Sequence, residues 1–254
     1  MARSKGRNLV YILLFAVVIT FLFLIGSRIF EVKDITVTGN QKLNSKIIIK
    51  LSGIIAGQNI FKLNTKNIKN NLESNPYVRV ISIQRRLPSQ VNIIILERKS
   101  AAVIEYLGSY IVMDQEGFIL EVNKQLLQPS SPIISGMKMI AFHVGQKVQS
   151  SDPYQVKILD DLLIPIYECD IAGMLSEINI DEPNNIYFIT REGLQVMMGQ
   201  ANELSYKISL LKSMIPELRR QGKTSGILDI SAINCPVYKP LPDIKINSGV
   251  NKKK

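Results

Sequence analysis

The sequence predicts an α+β protein: an N-terminal transmembrane helix, a small domain in the order β-α-α-β-β, then a mixed β-sheet domain with packed helices. Three observations carry that prediction. Leu9–Ile25 is an uncharged apolar run. Across 30–99 the apolar period switches from two to 3.6 and back to two. Across 100–240, short alternating segments are parted by Gly, Pro, Asn and Asp, with two amphipathic stretches among them.

The run LVYILLFAVVITFLFLI has only Tyr11 and Thr20 as polar members. At about 1.5 Å per residue it reaches the short end of a bilayer-spanning helix, and 26–29 extend it, with Arg28 snorkelling toward a headgroup. A cleaved signal peptide has a shorter apolar region and a small-residue cleavage site. Here the run is longer, and GSRIFEVK with bulky Ile29 and Phe30 follows. The reading is an uncleaved span over 9–29. Arg3, Lys5 and Arg7 precede it without an acidic residue, so they determine topology: the 1–8 segment is cytoplasmic and the remainder lies outside.

Phe30–Asn40 alternates at Val32, Ile35 and Val37 and ends in Gly39-Asn40, a strand and its turn. Asn44 or Ser45 caps a helix with Ile47, Ile48, Leu51 and Ile54 at helical spacing. Asn59–Leu63 is a short apolar link. Thr65 is the next N-cap candidate, Ile68 and Leu72 follow at i and i+4, and Asn75-Pro76 stops that helix. Tyr77–Leu87 and Gln90–Arg98 read as strands joined at Pro88-Ser89. Val37, Leu51, Leu72 and Val80 are the expected meeting point of four elements.

Beyond residue 100, Ala101–Tyr106, Tyr110–Met113 and Phe118–Val122 form hairpin strands, with Asp114–Gly117 as a turn. Two prolines keep Gln128–Ile134 extended. Pro153–Glu168 is helical in period, with Pro165 expected to kink or end it. Glu177–Ile180, Ile186–Thr190 and Leu194–Met198 are strands. Asn202–Gln221 places Leu204, Ile208, Leu211, Ile215 and Leu218 on one stripe, and Gly222 ends it. Gly226–Ser231 and Pro236–Pro240 are the last strands, and 241–254 is a polar basic tail.

Net charge is +10 over 254 residues. A basic extracytoplasmic chain is drawn to anionic lipid headgroups or anionic wall polymers. Scattered basic residues, apart from Arg85-Arg86 and Lys252–Lys254, argue against a nucleic-acid partner. Cys169 and Cys235 either pair or stand as two small buried hydrophobes.

The chemistry of an enzyme is not assembled. The single histidine, His143, removes multi-histidine metal sites, and between Phe142 and Val144 it reads as packed in a strand. Ser135-Gly136-Met137-Lys138 and Ser209-Leu210-Leu211-Lys212 match S-x-x-K of penicillin-binding enzymes. Their companions fail, since Ser151-Asp152-Pro153 and Lys223-Thr224-Ser225-Gly226 replace S-D-N and K-T-G. Neither Asp160-Asp161 nor Asp181-Glu182 converges on one site. We expect no catalytic residue, cofactor, metal or small-molecule substrate.

Val37-x-Gly39-Asn40, Asn59-Ile60-Phe61, Pro76-Tyr77-Val78, Arg86-x-Pro88 and Val91…Glu97-Arg98, in that order after an anchor, resemble a POTRA domain of the FtsQ/DivIB type over 30–99. Met113-Asp114-x-x-Gly117, Pro132-Ile133-Ile134-x-Gly136, Gly145-Gln146-x-Val148, Leu228-Asp229-Ile230 and Tyr238-Lys239-Pro240 resemble that family's β-domain over 100–240. The resemblance implies a bacterial divisome scaffold in the cytoplasmic membrane, single-pass type II and enriched at the septum. It implies partners of the FtsB/DivIC-like and FtsL-like membrane coiled-coil kind and a link to septal peptidoglycan synthesis. A POTRA-bearing translocation or assembly component is the alternative; a signal-anchored cell-wall enzyme is the weakest reading.

An open sheet edge invites an added strand. The last two strands lie where an edge is most easily left uncovered, so Leu228, Ile230, Val237, Tyr238, Lys239 and Pro240 are the expected partner-binding residues. In the resembled family the C-terminal strands of the β-domain bind the coiled-coil partner. The charge asymmetry also makes a topology test: a reporter active only in the cytoplasm, fused after Lys254, should be silent in cells. Strong activity there reverses the orientation.

Overall fold

The computed structural model describes residues 11–19, 28–125 and 131–241. Residues 11–19 form a helix, α1, whose side chains are all exposed. Among the described residues no helix is long and apolar enough to cross a membrane. Of the expected span over 9–29, residues 9–10 and 20–27 lie outside them, as do Arg3, Lys5, Arg7 and the tail beyond Leu241. The chain divides into two compact units between Arg98 and Lys99.

The first unit runs β1 (Asp34–Thr38), α2 (Ser45–Ser52), α3 (Thr65–Glu73), β2 (Val78–Arg86) and β3 (Gln90–Glu97). Its sheet has the order β1-β3-β2, with β1 parallel and β2 antiparallel to the central strand. Ile48, Ile68 and Leu72 from the helices meet Val78, Val80, Val91, Ile93 and Ile95 from the sheet. Of the four expected core residues, Leu72 and Val80 are buried, whereas Val37 and Leu51 only line the core. Ile48 takes the deep position expected of Leu51.

Local chemistry sets the ends of these elements. Asn44 caps α2 by accepting from Lys46 N–H at 2.8 Å. The cap of α3 is Asn64, not Thr65: its carboxamide oxygen accepts from Lys66 and Asn67 N–H, both at 3.1 Å. The odd spacing of Val78, Val80 and Ile83 is resolved by a bulge between Val80 and Ser82, which shifts the alternation by one. Gly39 has φ +92°, and a Cβ there would lie 1.9 Å from the Ile95 carbonyl oxygen, so the turn after β1 admits glycine alone.

Glu97 closes the same turn. Its carboxylate accepts from the backbone N–H groups of Gln41 (2.6 Å), Lys42 (2.9 Å) and Leu43 (2.7 Å). Burial pushes its pKa up, but the three N–H donors and the Lys42 ammonium outweigh that and hold it below the ordinary value.

The second unit comprises β4 (Ala102–Tyr106), β5 (Ser109–Met113), β6 (Ile119–Asn123), β7 (Ile133–Ser135), α4 (Pro153–Glu168), β8 (Leu175–Asn179), β9 (Ile186–Thr190), β10 (Leu194–Gly199), α5 (Leu204–Arg220), β11 (Gly226–Asp229) and β12 (Val237–Lys239). These nine strands form one sheet, ordered β12-β11-β10-β9-β8-β7-β4-β5-β6. Parallel pairs β4–β7, β7–β8 and β10–β11 interrupt an otherwise antiparallel ladder. The α5 crossover joins β10 to β11, as a parallel neighbour requires.

Ile134, Ile178, Phe188, Val196 and Leu228, one from each of five strands, form a common core with the stripes of α4 and α5. The five expected positions on α5 are all buried. Gln155 and Lys207 are two of the polar side chains buried in this unit. Gln155 of α4 is fully buried; it donates to Gly136 O at 2.8 Å and accepts from Lys138 N–H at 2.9 Å. Lys207 of α5 donates to Met198 O (2.8 Å), Gln200 O (3.1 Å) and Asn202 Oδ1 (2.8 Å). Burial pushes the Lys207 pKa down, with the Glu203 carboxylate opposing.

Pro165, expected to kink or end α4, lies inside it, and the helix runs on to Glu168. Two expectations are corrected. His143 is exposed in a loop, because the chain turns at Gly145 and it is Phe142 that packs, edge-on to Tyr106 at 6.1 Å. Cys169 is half-buried and Cys235 exposed, and they are unpaired, so neither a disulfide nor two buried hydrophobes is realised.

The Glu97 clamp gives a pH dependence of definite sign. A depressed carboxyl pKa stabilises the fold above the unfolded-state pKa, and that stability is lost as pH falls through the folded-state value. Glu97→Gln should therefore flatten the acid limb of the first unit's stability and speed amide exchange at Gln41–Leu43. An unchanged acid limb would show that the clamp carries none of it.

Candidate functional site

The sheet ends at β12, and nothing among the described residues pairs with its outer side. Three residues join it antiparallel to β11, with Lys239 opposite Ile227, Tyr238 opposite Leu228 and Val237 opposite Asp229. Because side chains alternate, Tyr238 shares the α4/α5 face with Leu228, and Val237 and Lys239 stand on the other.

This parity sorts the predicted residues. Leu228 and Ile230 are fully buried in the helix-covered core, so they support the edge and present no side chain to a partner. Val237, 41% exposed, together with Lys239 and Pro240 forms the accessible part. Tyr238 is half-buried and packs against the core. Its hydroxyl donates to Ser225 O at 2.6 Å, and the Lys223 ammonium lies 5.3 Å from its ring centre. Tyr238 thus seats the edge strand from the core side.

Gly226, which opens β11, makes that seat possible. Its φ is +117°, and a Cβ would fall 2.6 Å from Lys239 O and 3.1 Å from the Tyr238 hydroxyl. The signal in the sequence was a glycine at a strand's first position, which marks close approach of another backbone or ring. Lys223, Ser225 and Gly226 were not expected at the site.

The accessible side continues inward along two rows. One runs Val237, Asp229, Met197, Tyr187, Asn179, Ser135, and the other Lys239, Ile227, Gln195, Ile189, Glu177, Ile133. These residues are half-buried apart from exposed Val237 and Lys239 at the rim. Asp229 accepts from the Ser231 hydroxyl at 2.6 Å and Ser231 N–H at 3.0 Å. Those bonds, the hydroxyl first, lower its pKa against the effect of burial, and Lys239 adds to the lowering. The rim therefore holds a fixed carboxylate beside an ammonium and an exposed valine. It offers backbone and mixed side-chain contacts, and among the described residues no cluster of His, Cys, Asp and Glu could hold a metal ion.

Comparison with known proteins adds the following. Residues 30–98 match the family "POTRA domain, FtsQ-type", and residues 102–231 match "Cell division protein FtsQ/DivIB, C-terminal". Cell division protein DivIB of Clostridium tetani is 29% identical over 227 residues, 89% of this chain and 84% of that one. The DivIB of Staphylococcus aureus is 25% identical over 209 residues, 81% of this chain and 45% of that one. Cell division protein FtsQ of Syntrophotalea carbinolica is 27% identical, covering 81% and 71%.

The Gly226 contact predicts its own test. Gly226→Ala should unseat β12, raising amide exchange at Val237–Lys239 well above the parent while α5 keeps its protection. Unchanged exchange at those three amides would mean that the strand tolerates a Cβ there.

Proposed function

The chain belongs to the FtsQ/DivIB family of cell division proteins, and on that premise we propose that it is a non-catalytic scaffold of the divisome. In this reading it is a single-pass type II membrane protein, anchored through 9–29 with Arg3, Lys5 and Arg7 inside, and concentrated at the septum. The exposed apolar side chains of α1 support the anchor, since a helix of that composition buries its surface in lipid.

The observation that carries the scaffold role is β12, the uncovered last strand of the nine-stranded sheet. An extended segment of an FtsB/DivIC-like coiled-coil partner adds to that edge, with an FtsL-like chain in the same complex. Main-chain bonds supply the pairing. Val237 offers an apolar contact, while Lys239 and Pro240 set register and limit its length. Held this way, the partners are linked to septal peptidoglycan synthesis.

The burial of Leu228 and Ile230 dictates how this is tested. A truncation after Gly226 would remove core as well as edge, whereas truncation after Cys235 removes β12 and the tail and leaves Leu228 and Ile230 in place. The shorter chain should keep α5 protection and lose binding to the coiled-coil partner. Val237→Asp should weaken binding at least about tenfold, as for an interface anchor. Parent-strength binding by the chain ending at Cys235 would rule this edge out.

A further inference from the structure

The net charge is distributed unevenly. Between Arg28 and Arg98 there are twelve lysines and arginines against four carboxylates, whereas between Lys99 and Leu241 there are twelve against sixteen. The basic excess therefore sits in the unit that directly follows the anchor.

Within that unit the ladder register shows at which end the chain enters the sheet. Lys33 N–H and Asp34 N–H both approach Ser89 O, and Asp34 lies beside Gln90, itself beside Arg86. The β2–β3 turn thus stands where the chain arrives, and Leu87 on it is 58% exposed beside exposed Arg85 and Arg86.

A second loop is tied to the same end. Val32 N–H bonds Gln58 O and Gly57 N–H bonds Val32 O, both at 2.9 Å, and Phe30 meets Phe61 at 5.2 Å. That loop exposes Ile55 (70%) and Phe61 (41%), next to Lys62. Arg85 reaches across to Leu63 O at 2.7 Å, joining the two loops. Glu31 and Asp34 are the carboxylates at this end, too few to cancel the cations.

The geometry points to a second membrane contact: the Ile55–Lys62 and Arg85–Pro88 loops rest on the anionic phospholipid surface beside the anchor, apolar tips in the interface and cations at the phosphates. The inference rests on the anchor reading of the proposed function. The lipid surface is favoured over an anionic wall polymer because apolar tips alternate with cations, and because chain continuity puts this end against the bilayer. The far end of the same strands, at Gly39 and Glu97, carries the clamped turn and is directed away.

The chain has no tryptophan, so a single one reports its surroundings. The full chain is reconstituted into nanodiscs carrying Phe61→Trp or Ile55→Trp, with Gln41→Trp at the far end as control. In phosphatidylglycerol discs the loop variants should show blue-shifted emission and quenching by brominated acyl chains, and the control neither. In phosphatidylcholine discs the quenching should fall, and Lys62→Gln should lower the docked-to-undocked ratio about fivefold. A chain that survives an alkaline wash while both loop tryptophans keep water-like emission overturns the contact and leaves the anchor standing. A chain washed off overturns both. A blue shift seen only with added poly(glycerol phosphate) overturns the lipid assignment in favour of a wall polymer.

Discussion

Burial of one face of the nine-stranded sheet beneath α4 and α5 is the constraint from which the second unit follows. Alternation along each strand then leaves no choice about parity. Ile134, Ile178, Phe188, Val196 and Leu228 must face the helices, and their neighbours in sequence must face away. Gln155 and Lys207 are tolerated in that core because every polar atom they bring finds a partner there. Tying loops to helices through such groups fixes where the crossovers leave the sheet.

The same parity defines what the molecule can offer at its edge. An open sheet ends in strands with unpaired backbone groups, and a protein must cover, blunt or use them. Here β12 is short and flanked by Pro236 and Pro240, which confines pairing to a few residues. Tyr238 and Gly226 hold the strand in place from the core side, while Val237 and Lys239 remain accessible. Edge and core are thus separate functions carried by adjacent residues, the arrangement expected where a partner must add to a strand without disturbing what supports it.

The first unit solves a different problem. A small three-stranded sheet with two helices has few residues to bury, so its turns are held by directed polar contacts: Glu97 across Gln41–Leu43, Asn44 and Asn64 at helix starts, Asn59 at the following turn. Its surplus of cations costs nothing in folding while they are solvated, and it biases the unit toward an anionic surface.

The local order of the elements was legible in the residues. Periods of two and 3.6, Asn and Asp caps and glycine turns specify strands and helices through interactions within a few positions, and even the bulge after Val80 left its mark in an irregular spacing. The stripe on α5 was legible for the same reason, but not the lysine within it, because what satisfies Lys207 is three oxygens of the preceding loop. His143, Leu51 and Thr65 were misplaced where a neighbour, Phe142, Ile48 or Asn64, outcompeted the residue for the buried or capping position. By itself the sequence determined the fold class, the apolar N-terminal run and the family. The tertiary structure alone decided the strand order, hence that β12 is an edge, that Leu228 and Ile230 lie beneath it, and that Tyr238 packs toward the core. Those depend on pairings between residues far apart in the chain, and no local period encodes which strand a given strand will lie beside.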